Sequence, residues 1–195
     1  MVSIFSVLIS LLLLSSVAVA DPFVSVDADP ATPGIQADAT TALGTVEIDL
    51  VITGVDAEAP LNGFELDLVF DSAVLSAEAV IDGGFLLDPV MVVEQALGLL
   101  RVEFAEVTLG PQGAFGEGLL ATVIFETVAP GLSLLTLENV ILAAPFGTPI
   151  PVAGLDDGSI EVPEPAGVVL SSTAVLCLMV LRRWAMKQQG RIASE

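Results

Sequence analysis

Histidine and tyrosine are absent from this 195-residue chain, cysteine occurs once, and lysine and arginine together occur five times. Each shortage removes a class of chemistry. Without histidine there is no Ser-His-Asp or Cys-His arrangement and no histidine-ligated metal. The lone Cys177 lies in an apolar stretch near the C-terminus, so the residues before it have no disulfide, thiolate nucleophile or zinc site. With no tyrosine, and with the single Trp184 close to the C-terminus, the chain is short of the aromatic platforms that stack on sugar rings.

Positive charge is scarce and unevenly placed. Four of the five bases follow Leu181, so the stretch between the two apolar ends holds 24 acids against Arg101 alone and carries a net charge of −23. Such a surface repels phosphates and anionic head groups, which excludes nucleic acid and direct attachment to anionic lipid. It attracts divalent cations and basic protein surfaces. For most of these acids the simpler account is that they keep a Val/Leu/Ala-rich chain soluble and monomeric.

The two ends are apolar for reasons unrelated to a fold. From Ile4 to Leu14 only Ser6 and Ser10 interrupt the apolar run, and Ser15-Ser16-Val17-Ala18-Val19-Ala20 then precedes Asp21. That is a short hydrophobic region with a small-x-small cleavage site at Ala18 and Ala20, so residues 1–20 are expected to be a signal peptide and the mature chain to begin at Asp21. An uncleaved anchor would need an apolar run of roughly 20 residues. Gly167 to Leu181 is uncharged, with Arg182, Arg183, Lys187 and Arg191 behind it. It is expected to form a single transmembrane helix, extended at the interface by Trp184, Ala185 and Met186, with Arg182 and Arg183 as the stop that holds its end in the cytoplasm. The preceding residues then face the periplasm.

Between these ends, residues 21–162 suit one domain with a sizeable core. Phe64 to Phe70 alternates apolar and mostly acidic residues, which places Phe64, Leu66, Leu68 and Phe70 on a core face. Val46 to Ile52 has the same period, with Val46, Ile48, Leu50 and Ile52 inward. Leu99 to Phe104, Leu119 to Thr127 and Leu132 to Leu142 follow, and Val24 to Val26 and Ser159 to Val162 open and close the domain. Turn-forming combinations separate them at Asp29-Pro30, Pro33-Gly34, Asp82-Gly83-Gly84, Gly110-Pro111, Gly116-Glu117-Gly118, Ala129-Pro130-Gly131 and Asp157-Gly158. Seven to nine short strands spaced in this way predict an all-β antiparallel sandwich rather than βαβ units. Val162-Pro163-Glu164-Pro165 reads as a rigid, extended connector.

Two resemblances cover nearly the whole chain. Pro33-Gly34, the strand from Thr45 to Ile52, the stretch from Leu61 to Leu75, Gly118 to Phe125, and the closing Asp157-Gly158-Ser159-Ile160-Glu161-Val162 together resemble a cohesin domain. That resemblance implies a jelly-roll β-sandwich of about nine strands that binds a dockerin module through a patch on one sheet face, in assemblies that degrade polysaccharide or attach proteins to the cell surface. The second is Pro163-Glu164-Pro165, an apolar span and Arg182-Arg183 in that order, which resembles the PEP-CTERM sorting signal and implies processing by an exosortase. Residues 163–195 would then be a sorting tail, and the sandwich would end at the cell surface or in the extracellular matrix.

Catalysis would have to rest on carboxylates. A glycosidase needs two of them facing across a cleft, and pairs such as Glu103 with Glu106 or Asp67 with Asp71 exist. With so many acids coincidental pairs are expected, and solvated sheet faces account for Glu47, Asp49, Glu65 and Asp67; no enzyme is expected. No cofactor is expected either. Calcium is the one candidate, because Asp27 with Asp29 and Asp156 with Asp157 place paired oxygen ligands at opposite ends of the domain, although neither fits an EF-hand loop and turn-forming Asp is the plainer reading. Phe64, Phe70, Phe104 and Phe125 fall on core positions, which leaves them unavailable for sugar stacking. The expectation is a non-catalytic binding module for a dockerin-like protein, or for polysaccharide through polar loops. The alternative is an acidic structural matrix protein in which only the sorting tail is specific.

Overall fold

The computed structural model describes residues 21–87, 96–97, 100–109 and 112–164. The expected signal peptide, with Ala18 and Ala20, and the expected membrane span with Pro165, Arg182 and Arg183 lie outside the described residues. Among those that are described, no helix is long and apolar enough to cross a membrane.

Alternation of apolar and polar side chains builds two sheets. One carries β1 (Phe23–Asp27), β3 (Thr45–Val55), β5 (Leu75–Asp82), β8 (Gly116–Thr127) and β11 (Gly154–Asp156), in the order β11-β1-β3-β8-β5. The other runs β2-β12-β9-β4-β7-β6, from β2 (Asp38–Thr40), β12 (Gly158–Val162), β9 (Gly131–Ala144), β4 (Gly63–Val69), β7 (Arg101–Val107) and β6 (Ala96–Leu97). A short β10 (Thr148–Ile150) folds back on the end of β9 after a 3-10 turn at Pro145–Gly147. The architecture is the expected all-β sandwich, with more strands than the seven to nine expected. The extra ones are mostly two- or three-residue edge pieces with too few side chains to show a period.

The inward faces form one core. Phe64, Leu66, Leu68 and Phe70 are all buried, as are Ile48, Leu50 and Ile52, while Val46 packs at the margin. Phe64 meets Phe104 at 5.3 Å in a tilted pair, and Phe70 meets Phe125 at 5.0 Å edge to face, two geometries that aromatic quadrupoles favour. The four phenylalanines expected in the core are there.

Three features differ from the sequence expectation. First, the sheets are not wholly antiparallel: β1 pairs with β11, and β2 with β12, in parallel. β11 and β12 are separated only by Asp157, at which the chain crosses from one sheet to the other, and Asp157 Oδ1 ties the corner down by accepting from Leu137 N at 2.8 Å. Second, Gly116-Glu117-Gly118 is not a turn but the start of β8. Gly118 is glycine there because a Cβ would run into the Phe85 ring. Third, Asp67 is not solvated on the sheet surface but 6% exposed, for a reason that lies in its neighbours.

Candidate functional site

The outward face of the longer sheet is set by the registers of its three central strands. Val69 of β4 stands opposite Arg101 of β7, Asp67 opposite Glu103, Glu65 opposite Ala105 and Gly63 opposite Val107. On the other side of β4 the partners on β9 are Thr136, Glu138, Ile141 and Ala143. Between Glu65 and Asp67 that register slips, because β9 inserts one extra residue. Asn139 occupies this bulge with φ 51, a left-handed conformation that asparagine tolerates better than most side chains.

The bulge aims Asn139 at β4. Its Nδ2 donates to Asp67 Oδ2 at 2.7 Å, and Arg101 Nη1 donates to the same oxygen at 3.0 Å. Arg101 Nη1 also lies 3.9 Å from Glu103 Oε1. Asp67 is thus covered from both neighbouring strands and ionically paired, which is how a carboxylate tolerates burial. The only base among the described residues is held at the centre of this face.

Around that polar centre the face exposes Glu65, Glu103 and Glu138 together with aliphatic side chains towards both ends of the strands. Leu132 and Leu134 on β9 are 56% and 63% exposed, Ile141 56%, and Val107 on β7 41%. The opposite solvated face, on the shorter sheet, differs in kind: Thr45 Oγ1 donates to Glu126 Oε2 at 3.0 Å and Thr122 Oγ1 to Asp49 Oδ1 at 2.6 Å, with Glu47 exposed between them. The shorter sheet's face exposes one large aliphatic side chain beside these pairs, Ile81 at 52% next to Thr122, whereas the longer sheet's face leaves four uncovered.

The carboxylate pairs singled out in the sequence are separated by the pleat. Glu103 points outward, whereas Glu106, three residues further along the same strand, shares the inward parity of Val102 and Phe104. Asp71 turns away from Asp67 and organises a tight turn, its Oδ1 accepting from Ala73 N at 2.8 Å. No two of these four carboxylates face each other across a cleft.

Glu106 is the residue whose setting the sequence reading missed. It is 3% exposed, opposite Phe64, and neither carboxylate oxygen has a hydrogen-bond partner. Burial, with a smaller contribution from the negative charge of Asp82, raises its pKa from 4.5 to about 7. Parity was the available signal, because Val102, Phe104 and Glu106 alternate without a break.

The calcium candidates are brought near one another but not assembled. Parallel pairing sets Ser25 of β1 beside Asp156, so the two ends of the domain do meet. Yet Asp27 Oδ1 accepts from Gln36 N at 3.1 Å, Asp29 Oδ2 from Thr32 Oγ1 at 2.6 Å, and Asp157 from Leu137 as above. Three of the four acids organise turns, and among the described residues no three metal-capable side chains gather. Of the sorting motif, Pro163 and Glu164 are described; both are exposed, immediately after the buried Val162.

No protein-family model and no curated protein matches the chain. Solved structures do. The chain is similar to a non-cellulosomal cohesin from the hyperthermophilic archaeon Archaeoglobus fulgidus, at 16% identity and a TM-score of 0.58, over 74% of this chain and 93% of that one. It is also similar to a chain in the Coh-OlpA–Doc918 complex of Clostridium thermocellum, described as a type I cohesin–dockerin complex, at 14% identity and a TM-score of 0.59, over 73% and 99%. The solution structure of CaCohA2 from Clostridium acetobutylicum matches at 18% identity and a TM-score of 0.58, over 74% and 92%. At these identities the likeness establishes the fold: the chain has the architecture of a cohesin domain.

Proposed function

We propose that this chain is an exported, non-catalytic binding module that takes a dockerin-type protein on the outward face of β4, β7 and β9. The observation that carries the reading is the contrast between the two solvated sheet faces. Leu132, Leu134, Ile141 and Val107 expose aliphatic area on one rigid sheet, around the fixed Asp67–Arg101–Asn139 cluster. The other face pairs its threonines with carboxylates. Covering aliphatic groups that project from strands gains hydrophobic free energy without ordering a loop, and the polar cluster fixes register. The dockerin complexes among the similar structures support the choice of partner. The absence of histidine and the separation of the carboxylate pairs support a role without catalysis.

In this reading Met1 to Ala20 directs export, the mature chain starts at Asp21, and Gly167 to Leu181 holds it in the inner membrane with the sandwich in the periplasm. An exosortase-type enzyme acts at Pro163-Glu164-Pro165 and passes the module to the cell surface or extracellular matrix, where it serves polysaccharide-associated assembly. The exposed Pro163 and Glu164, which leave the last strand with no sheet partner, suit a processing site.

The test is a titration of the full chain with dockerin modules encoded in the same genome. Saturable binding that Leu134→Asp and Ile141→Asp abolish, with an unchanged thermal midpoint, is the expected result. Weak uptake of cations or bulk polysaccharide alone, lost at moderate salt, would favour the acidic matrix protein instead.

A further inference from the structure

The end of β9 carries a feature that the strands do not require. Phe146, the middle residue of the 3-10 turn, is 98% exposed and holds φ 67, in the left-handed region that glycine or asparagine adopts at far lower cost. An unburied ring on a strained backbone does nothing to stabilise the isolated domain. Beside it lies a concavity of ≈470 Å³, walled by Gly63, by Val107, Thr108 and Leu109 at the end of β7, and by Ala143 and Ala144.

The concavity has two properties that narrow its occupant. None of its lining residues is charged, although the domain holds 23 carboxylates. Two of its side-chain donors are already engaged: Asn62 Nδ2 donates to Thr108 O at 2.9 Å, and Thr108 Oγ1 to Leu87 O at 3.2 Å. Sugar hydroxyls would find few partners there, whereas an apolar group fits. The concavity is also continuous with the docking face, since Gly63, Val107 and Ala143 are cross-strand partners in the same register.

We propose that this concavity takes a protruding apolar side chain of a basic protein partner, with the Phe146 ring as its outer wall, and so selects among partners of the sheet face. The inference rests on reading that face as a docking surface. Charge chooses the kind of partner. The face exposes Glu65, Glu103 and Glu138, and its single base is already tied to Asp67, so a second copy would bring like charge against like. A partner carrying Lys or Arg around an aliphatic or aromatic knob complements both the charge and the cavity.

Methyl-labelled full chain titrated with indole and with N-acetyl-leucine amide, as side-chain probes, gives the direct test. Saturable shifts are expected at the methyls of Val107, Leu109, Ala143 and Ala144. Phe146→Ser should weaken them about tenfold while leaving the thermal midpoint unchanged, because the ring is unburied. Absence of shifts with both probes overturns the site. So do shifts produced by cellobiose alone, which would make it a glycan site, and so does concentration-dependent dimerisation that Phe146→Ser abolishes.

The same variant separates this inference from the docking reading. A dockerin that binds wild type about tenfold more tightly than Phe146→Ser supports the site. Equal affinity for the two chains overturns the site and leaves the docking face standing. Indole binding in a wild-type chain that no dockerin recognises sinks the docking reading and upholds the apolar site.

Discussion

Arg101 Nη1 reaches Asp67 Oδ2 across 3.0 Å on the diagonal between β7 and β4, since the residue directly opposite Asp67 is Glu103. Diagonal neighbours on a sheet are within reach of a long side chain. The pair joins a carboxylate that is only 6% exposed to the only base among the described residues.

Removing the base should therefore cost more than an ordinary surface pair. Arg101→Ala leaves Asp67 with the Asn139 amide as its one side-chain donor, a partly desolvated carboxylate short of compensation. Because Arg101 is itself half exposed, the expected loss is about 1–2 kcal/mol rather than the larger figure for a fully buried pair. Urea denaturation checks it, and the loss should shrink in Arg101→Ala/Asp67→Asn. A full-sized loss in the double variant would mean that the arginine contributes by packing its stem.

Glu106 predicts a pH dependence of definite sign. Its folded pKa, about 7, lies above the ordinary 4.5, so the fold prefers the protonated form. The stability this contributes is fully present below about pH 4.5, declines as pH rises towards 7, and is gone above it. The span is on the order of 3 kcal/mol. The remaining carboxylates also repel one another increasingly over this range, so the informative quantity is the difference between wild type and Glu106→Gln. That difference should be small at pH 5 and favour the variant at pH 8. Parallel stability curves for the two chains would show that Glu106 does not titrate in this window.

How much of this was legible in the sequence follows from how each residue is constrained. The core faces of β3 and β4 were, because uninterrupted alternation fixes which side chain points inward. β5 was not named as a strand: it pairs with β8 through a bulge between Ala77 and Ala79, and a single slip destroys a period of two. Asp67 read as a solvated acid because its burial comes from Arg101 and Asn139, which are far away in the chain. Phe146 looked like any other phenylalanine, since its exposure depends on the turn that lifts it and not on its own type.

The contact of Gly118 with Phe85 offers a test of packing at the start of β8. A Cβ at Gly118 would meet the Phe85 ring, so Gly118→Ala should destabilise by about 1–3 kcal/mol, in the manner of an overpacked site. Phe85→Ala should relieve much of that penalty. A double-mutant cycle by thermal denaturation measures the coupling, and additive losses would show that the ring simply moves aside.

The last prediction concerns the C-terminal end, where topology follows from charge asymmetry and span length. On the proposed reading, residues 1–20 would start export of the acidic domain across the inner membrane, and the uncharged Gly167 to Leu181 would stall with Arg182 and Arg183 inside. Pro163-Glu164-Pro165 would then sit outside the bilayer, where its prolines would bar both helix and sheet pairing and leave the backbone open to the proposed enzyme. Val162, buried at 2%, marks how far the sandwich can be trimmed without damage to its core. Intact mass of the protein from its native host should correspond to a chain that starts at Asp21 and ends near Pro165. Retention of Trp184 to Glu195 in that mass would leave a plain membrane-anchored module and end the case for sorting. Changing Arg182 and Arg183 to Glu should let the tail slip through the membrane, because the charge that fixes its orientation would be reversed.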